Sequence, residues 1–142
     1  MNHKEAFSQI MRTTENMALA TSVDNMPNVR VVTYVYDEKH PNSVFFTTFK
    51  GNHKITEFEK NENVAVLPLP ESVDTPAQVR IFGKVRKSSL PLSEVGQMIA
   101  TKAPHFAETL AQAGHMLEPY EVVFDKAAVT IGMDDAVMIT IG

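Results

Sequence analysis

Cysteine and tryptophan are both absent from the 142 residues. Without a thiol the chain can form no disulfide, thiolate metal centre or iron-sulfur cluster, and it can carry no cysteine nucleophile. No apolar run is long enough to cross a bilayer as a helix, and the opening Met1-Asn2-His3-Lys4-Glu5 leads into a mixed polar and apolar segment, so a cytoplasmic protein with no membrane partner is expected. Positive charge is also sparse. Thirteen Lys and Arg against seventeen Asp and Glu leave a net charge of -4, which argues against a nucleic-acid surface and leaves room for one small anion held locally. The histidines at 3, 40, 53, 105 and 115 lack the close pairing of a zinc site, so no metal is expected.

What is present is an ordinary globular composition, 44% apolar and 21% charged, in a length that suits one domain spanning residues 1–142. Ala6, Phe7, Ile10 and Met11 recur at helical spacing and predict a first helix over residues 4–12. Strands are predicted for Met17 to Val23, Val29 to Tyr36, Ser43 to Thr48, Val64 to Leu69 and Gln78 to Lys87. Three more follow at Tyr120 to Phe124, Ala127 to Gly132 or Met133, and Ala136 to Ile141.

Asp24, Asn25 and Pro27 mark the first turn, and Asp37 to Asn42 the second. Pro68, Pro70 and Pro76 bracket a loop through Glu71 to Thr75. Within Gln78 to Lys87, Val79, Ile81 and Val85 alternate with Arg80, Phe82, Lys84 and Arg86, so one face should be buried and the other open. Short helices are predicted from Asn52 to about Asn61, after Pro91 with Val95, Met98 and Ile99, and after Pro104 with Phe106 and Leu110. Met11, Met98 and Met138 read as core filler, and core packing is the default for Phe46, Phe49 and Phe82, with stacking on a ligand the alternative. Antiparallel hairpins with helices at the edges predict a mainly β fold, a closed or partly closed barrel with peripheral helices.

One constellation carries chemistry. Arg30-Val31-Val32-Thr33-Tyr34 lies on one strand, and Val44-Phe45-Phe46-Thr47-Thr48-Phe49-Lys50-Gly51-Asn52-His53-Lys54 runs from the next strand into a helix. If these strands are hairpin neighbours, Arg30 faces the end where Thr47 and Thr48 lie. The arginine fork suits phosphate, the hydroxyls donate hydrogen bonds, and Lys54 adds a point charge beside the positive end of the helix that Asn52 opens. His53 and Lys54 disfavour that helix end unless an anion sits opposite. Such a set fits an anionic aromatic cofactor such as FMN, and it is equally compatible with a solvated strand arginine beside a polar loop.

These segments, together with Tyr36-Asp37-Glu38-Lys39 and Gln78-Val79-Arg80-Ile81-Phe82-Gly83-Lys84-Val85, resemble the pyridoxamine 5'-phosphate oxidase-like, FMN-binding split-barrel family over most of residues 15–100. The resemblance implies an antiparallel split β-barrel with FMN as cofactor. It implies that Arg30 and Lys54 contact the phosphate with Thr47 beside it, that Arg30, Val31, Val32 and Thr33 lay their backbone along the isoalloxazine ring, and that Gln78 reaches the flavin from the following barrel strand. It also implies a homodimer with flavin at the interface. Two departures follow. Between Thr47 and Lys54 this chain is one residue longer than the family pattern, in the stretch holding Lys50, Asn52 and His53, and a histidine there makes phosphate binding weaker above its pKa. The family's Arg- and Trp-containing carboxyl segment has no counterpart, because no arginine follows Arg86, so pyridoxamine phosphate is not the expected substrate.

The expected function is therefore that of an FMN-dependent oxidoreductase moving hydride or electrons between the flavin and a small substrate or nicotinamide nucleotide. The competing expectations are a non-enzymatic carrier of flavin, deazaflavin or haem, and an interaction protein whose barrel has lost its ligand. No residue announces itself as catalytic.

Overall fold

The computed structural model describes residues 1–72 and 77–142. Its elements are α1 (His3–Thr13), β1 (Asn16–Val23), β2 (Met26–Tyr36), β3 (Ser43–Phe49), α2 (His53–Lys60), β4 (Asn63–Leu69), β5 (Ala77–Lys87), α3 (Leu92–Lys102), α4 (Phe106–Ala113), β6 (Leu117–Val123), β7 (Lys126–Ile131) and β8 (Val137–Thr140). The strands form one antiparallel sheet in the order β4-β1-β2-β3-β6-β5-β7-β8, and a further β4–β5 ladder closes the first six into a barrel. The expected split barrel with peripheral helices is the observed architecture.

Local chemistry sets the first hairpin. Asp24 and Asn25 both have positive φ, 52° and 65°, as a two-residue turn between right-twisted strands demands, and Val23 pairs with Met26 directly across it. The turn is thus tighter than expected, and Pro27 lies inside β2 opposite Ser22. Pro68 belongs to β4, within the strand expected from Val64 to Leu69. β4 pairs with β1 through Leu69 but with β5 only as far as Val66, so at Pro68 the ladder has a single neighbour and the missing N–H is tolerated. Of the expected proline-bracketed loop, Val73 to Pro76 lie outside the described residues.

β5 shows the expected alternation, with Val79, Ile81 and Val85 buried and Arg80, Phe82, Lys84 and Arg86 exposed. It is the strand on which the topology turns: Ala77 to Ile81 pair with β7, Ile81 to Lys84 with β4, and Lys84 to Lys87 with β6. Gly83 stands where these ladders converge, and a Cβ there would strike the Val123 carbonyl and the Val122 side chain.

The main core fills the barrel and continues under α1, with Phe7, Met11, Met17, Leu19, Tyr34, Phe46, Ile81 and Val122 among its members. A second cluster, Val35, Phe45, Val95 and Ile99, seats α3 on the outer face of β2 and β3. Burying each such side chain contributes roughly 1.5–3 kcal/mol. Three expectations about the core fail. Phe49, Phe82 and Met138 are exposed, because each points outward from its strand.

One buried carboxylate ties the α3 side together. Glu121, 1% exposed, accepts hydrogen bonds from Ser43 Oγ and the Ser89 backbone N–H, each at 2.5 Å, with Arg86 Nε at 3.6 Å. Burial alone would raise its pKa, but the Ser43 and Ser89 hydrogen bonds and Arg86 outweigh burial and hold it below the ordinary carboxylate value. A folded-state pKa below the unfolded one contributes stability that is present above the unfolded value and is lost as pH falls through the folded value. Glu121→Gln is expected to cost about 1–3 kcal/mol at pH 7. Urea unfolding from pH 7 to 3 should show a shallower acid loss for the variant than for the native chain.

Candidate functional site

β2 and β3 share a ladder only at Tyr34–Phe46, Val35–Phe45 and Tyr36–Val44. From Val29 to Thr33, β2 keeps β1 on one side, and among the described residues no strand pairs with its other edge. α2 covers this opening. The turn into it needs a positive φ, which Gly51 supplies at 76°, and Asn52 caps it, its Oδ1 accepting from the Lys54 backbone N–H at 3.0 Å.

Alternation along β2 places Arg30 on the same face as the core residues Val32 and Tyr34, directed to the end of the barrel that α2 covers. Its Nη1 donates to the Leu19 carbonyl at 3.2 Å and to Thr21 Oγ1 at 3.0 Å, and its Nη2 is paired with Glu57 of α2. The side chains of Arg30 and Glu57 are 20% and 12% exposed. Asn28 Nδ2 donates to the other Glu57 oxygen at 3.2 Å. On the same helix, Lys54 Nζ donates to Thr48 Oγ1 at 2.9 Å and Asn52 Oδ1 at 3.2 Å, with no carboxylate hydrogen-bonded to it among the described residues.

The electrostatics are those of a cationic cradle. Burial, and then the nearby Arg30 guanidinium, lower the Lys54 pKa, while Glu57 opposes them. Burial would raise the Glu57 carboxyl, but Asn28, Arg30, Thr21 and His53 together hold it below its ordinary value.

The structure therefore brings together Arg30, Thr48, Asn52 and Lys54. Other expected site residues are placed elsewhere. Phe46 is in the barrel core, its ring 6.0 Å from Tyr120 and 6.1 Å from Phe58, so its side chain is not free to meet a ligand. Thr47 lies opposite Pro119 on β6, one residue out of phase with Thr48 and thus on the opposite face of β3. Lys50 and His53 are exposed, and the Lys50 N–H is held by the Met116 carbonyl at 2.8 Å. Val32 points inward with Arg30, whereas Val31 and Thr33 point outward, with Thr33 Oγ1 donating to Asn16 at 3.0 Å. Gln78 is exposed on β5 opposite Thr130.

That outer face is apolar. In register, Val29, Ala20, Ala65 and Phe82 form one row across β2, β1, β4 and β5, and Val29, Val31 and Phe82 are 63%, 60% and 56% exposed. Farther along β2, Val35 and Tyr36 line an open cleft of about 780 Å³ with Met98 and Lys102 of α3. Lys102 Nζ donates to the Tyr34 carbonyl at 3.0 Å and lies 3.7 Å from the Tyr34 ring centre. Burial lowers its pKa to about 8, against a smaller opposing effect of Glu15.

Glu57 and Lys102 were not among the expected site residues. Glu57 carried a usable signal, since it stands three residues after Lys54 and four after His53, on their face of α2. Lys102 carried none, because its environment is made by a strand 68 residues away.

The sequence matches the family described as pyridoxamine 5'-phosphate oxidase-like over residues 10–136. No curated protein matches it. Among solved structures it is similar to general stress protein 26 from Bacillus anthracis, with a TM-score of 0.71 at 16% identity over 99% of both chains. It is also similar to the haem storage protein HutZ from Vibrio cholerae, with a TM-score of 0.70 at 11% identity over 92% of this chain and 95% of that one. An FAD-binding protein from Mesorhizobium loti gives a TM-score of 0.64 at 13% identity over 91% and 94%. Identities this low carry the fold and leave the ligand to the residues of the site.

Arg30 and Glu57 are expected to couple by about 1–3 kcal/mol in a double-mutant cycle with Arg30→Met and Glu57→Leu. Coupling near zero in urea unfolding would mean that the pair does not hold α2 to the barrel.

Proposed function

The chain belongs to the pyridoxamine 5'-phosphate oxidase-like family, and from that premise we propose that it binds FMN and works as a small flavin-dependent oxidoreductase. The observation that carries this reading is the meeting of Arg30, Thr48, Asn52 and Lys54 where β2 leaves β3. These donors suit a phosphate: a guanidinium, an ammonium, a hydroxyl and the start of a capped helix.

The donor set and the free edge of β2 also fit the rest of the cofactor. Backbone N–H and C=O groups between Val29 and Thr33 that face β3 have no ladder partner there, and they can hydrogen-bond the edge of an aromatic ring. Exposed Val29 and Val31 offer it an apolar bed. FMN, when bound, supplies hydride or electron transfer. The chain's own residues hold the phosphate, orient the ring and exclude water.

The cleft beside Val35 and Lys102 is the proposed place for the small substrate, since Val35 follows Thr33 on the outer face of β2. With a pKa of about 8, Lys102 holds a proton that it can share with a substrate group near neutral pH. The apolar row of Val29, Ala20, Ala65 and Phe82 favours a homodimer that covers this face and shares the flavin. A second reading is a carrier of flavin or haem. It is favoured by similar solved structures that include a haem storage protein.

The purified protein should show flavin absorption, as isolated or after incubation with micromolar FMN. Arg30→Ala and Lys54→Ala should each weaken FMN binding by one to two orders of magnitude, or about 1.5–3 kcal/mol. A protein that stays colourless with FMN contradicts the reading, and a Soret band in place of flavin absorption turns it to the haem carrier.

A further inference from the structure

We propose that Glu57 sets the charge of the phosphate that the cradle accepts, tuning it to a phosphate group with one negative charge in preference to one with two. The inference rests on the phosphate-binding reading above and concerns a residue outside the donor set.

Arg30 does not present a free fork. Both Nη1 contacts go to Leu19 and Thr21 of β1, and Nη2 faces Glu57. Glu57 is held in turn by Asn28. A ligand entering between β2 and α2 thus meets a guanidinium whose charge is already compensated, next to Lys54, whose partners Thr48 and Asn52 are neutral. The ionisable groups around Glu57 among the described residues are Arg30 from β2 and His53 and Lys54 from its own helix, with the hydroxyls of Thr21 and Thr48 contributed by β1 and β3. Glu57 offsets one of the two positive charges that Arg30 and Lys54 bring to the cradle.

A phosphate monoester carries two negative charges above its second pKa of about 6 and one below it. In a cradle with one uncompensated cation, the second charge is set against the Glu57 carboxylate, and the singly charged form is favoured. A group with a single permanent charge, such as a phosphodiester, escapes this penalty at every pH. Glu57 is a specificity-determining residue in this scheme and takes no part in any reaction step.

The test compares the native chain with Glu57→Gln, titrating each with inorganic phosphate and with FMN near pH 8 and near pH 5.5 at constant ionic strength. The amide keeps a hydrogen-bond acceptor for Arg30 and removes the charge. At the higher pH the variant should bind both probes about tenfold more tightly than the native chain, and near pH 5.5, where the ligand carries about half the charge, the gain should shrink to about threefold. Because His53 is coupled to Glu57, both proteins also carry His53→Gln, which removes its charge from the comparison.

A variant that binds phosphate no more tightly, or that gains equally at both pH values, overturns the proposal. The native chain supplies a control that needs no variant. Inorganic phosphate should gain on sulfate, which stays doubly charged, as the pH falls, and a constant ratio of the two affinities overturns the proposal. If phosphate shows the pH-dependent gain while FMN binds neither protein, the flavin reading fails and the role of Glu57 stands. If FMN binds both proteins without that gain, the flavin reading stands and the role of Glu57 fails.

Discussion

β2 runs for eleven residues yet shares a ladder with β3 over only three of them. A barrel of six antiparallel strands cannot leave such a gap in water without covering it, because unpaired backbone groups and inward-facing side chains would be stranded there. α2 provides the cover, held by contacts to both strands: Arg30 and Asn28 of β2 to Glu57, and Lys54 to Thr48 of β3. The parting of the strands therefore decides both where charge collects and where backbone is left free for a ligand. The remainder of the fold holds that parting open. β4 and β5 close the barrel elsewhere, and α3 clamps β2 and β3 together beyond the gap through Val35, Phe45, Val95 and Ile99.

The same geometry divides the site between two faces. Arg30 belongs to the inner face and Val31 and Thr33 to the outer, so a ligand touching all of them has to lie along the edge of β2. An aromatic ring carrying a phosphate on a flexible chain meets that demand. The phosphate can reach the charged end under α2 while the ring rests on the edge and the outer valines. Lys102, whose pKa burial lowers to about 8, lies beyond the outer face of β2 and apart from the charges of Arg30, Lys54 and Glu57.

Much of the fold was legible in the sequence because it is written in short-range terms. The alternation from Val79 to Val85, the Asp24-Asn25 turn and the cap at Asn52 each follow from a few adjacent residues. The closure of β4 on β5 and the course of β5 between three partners were not legible, since they depend on how distant strands twist and pair. For the same reason Phe49, Phe82 and Met138, apolar by type, are exposed because their strands turn them outward. Within the candidate site, Arg30 and Lys54 were expected from residue chemistry and the family pattern, and the structure places them near each other. The partner that neutralises Arg30 was not, because Glu57 meets it across 27 positions.

The central claim is that this opening recognises the phosphate of a flavin. Riboflavin and FMN differ only in that phosphate, so the most direct measurement is the ratio of their dissociation constants, determined by flavin fluorescence under identical conditions. The account predicts that FMN binds at least tenfold more tightly than riboflavin. Equal affinity for the two would place any flavin binding elsewhere and contradict it.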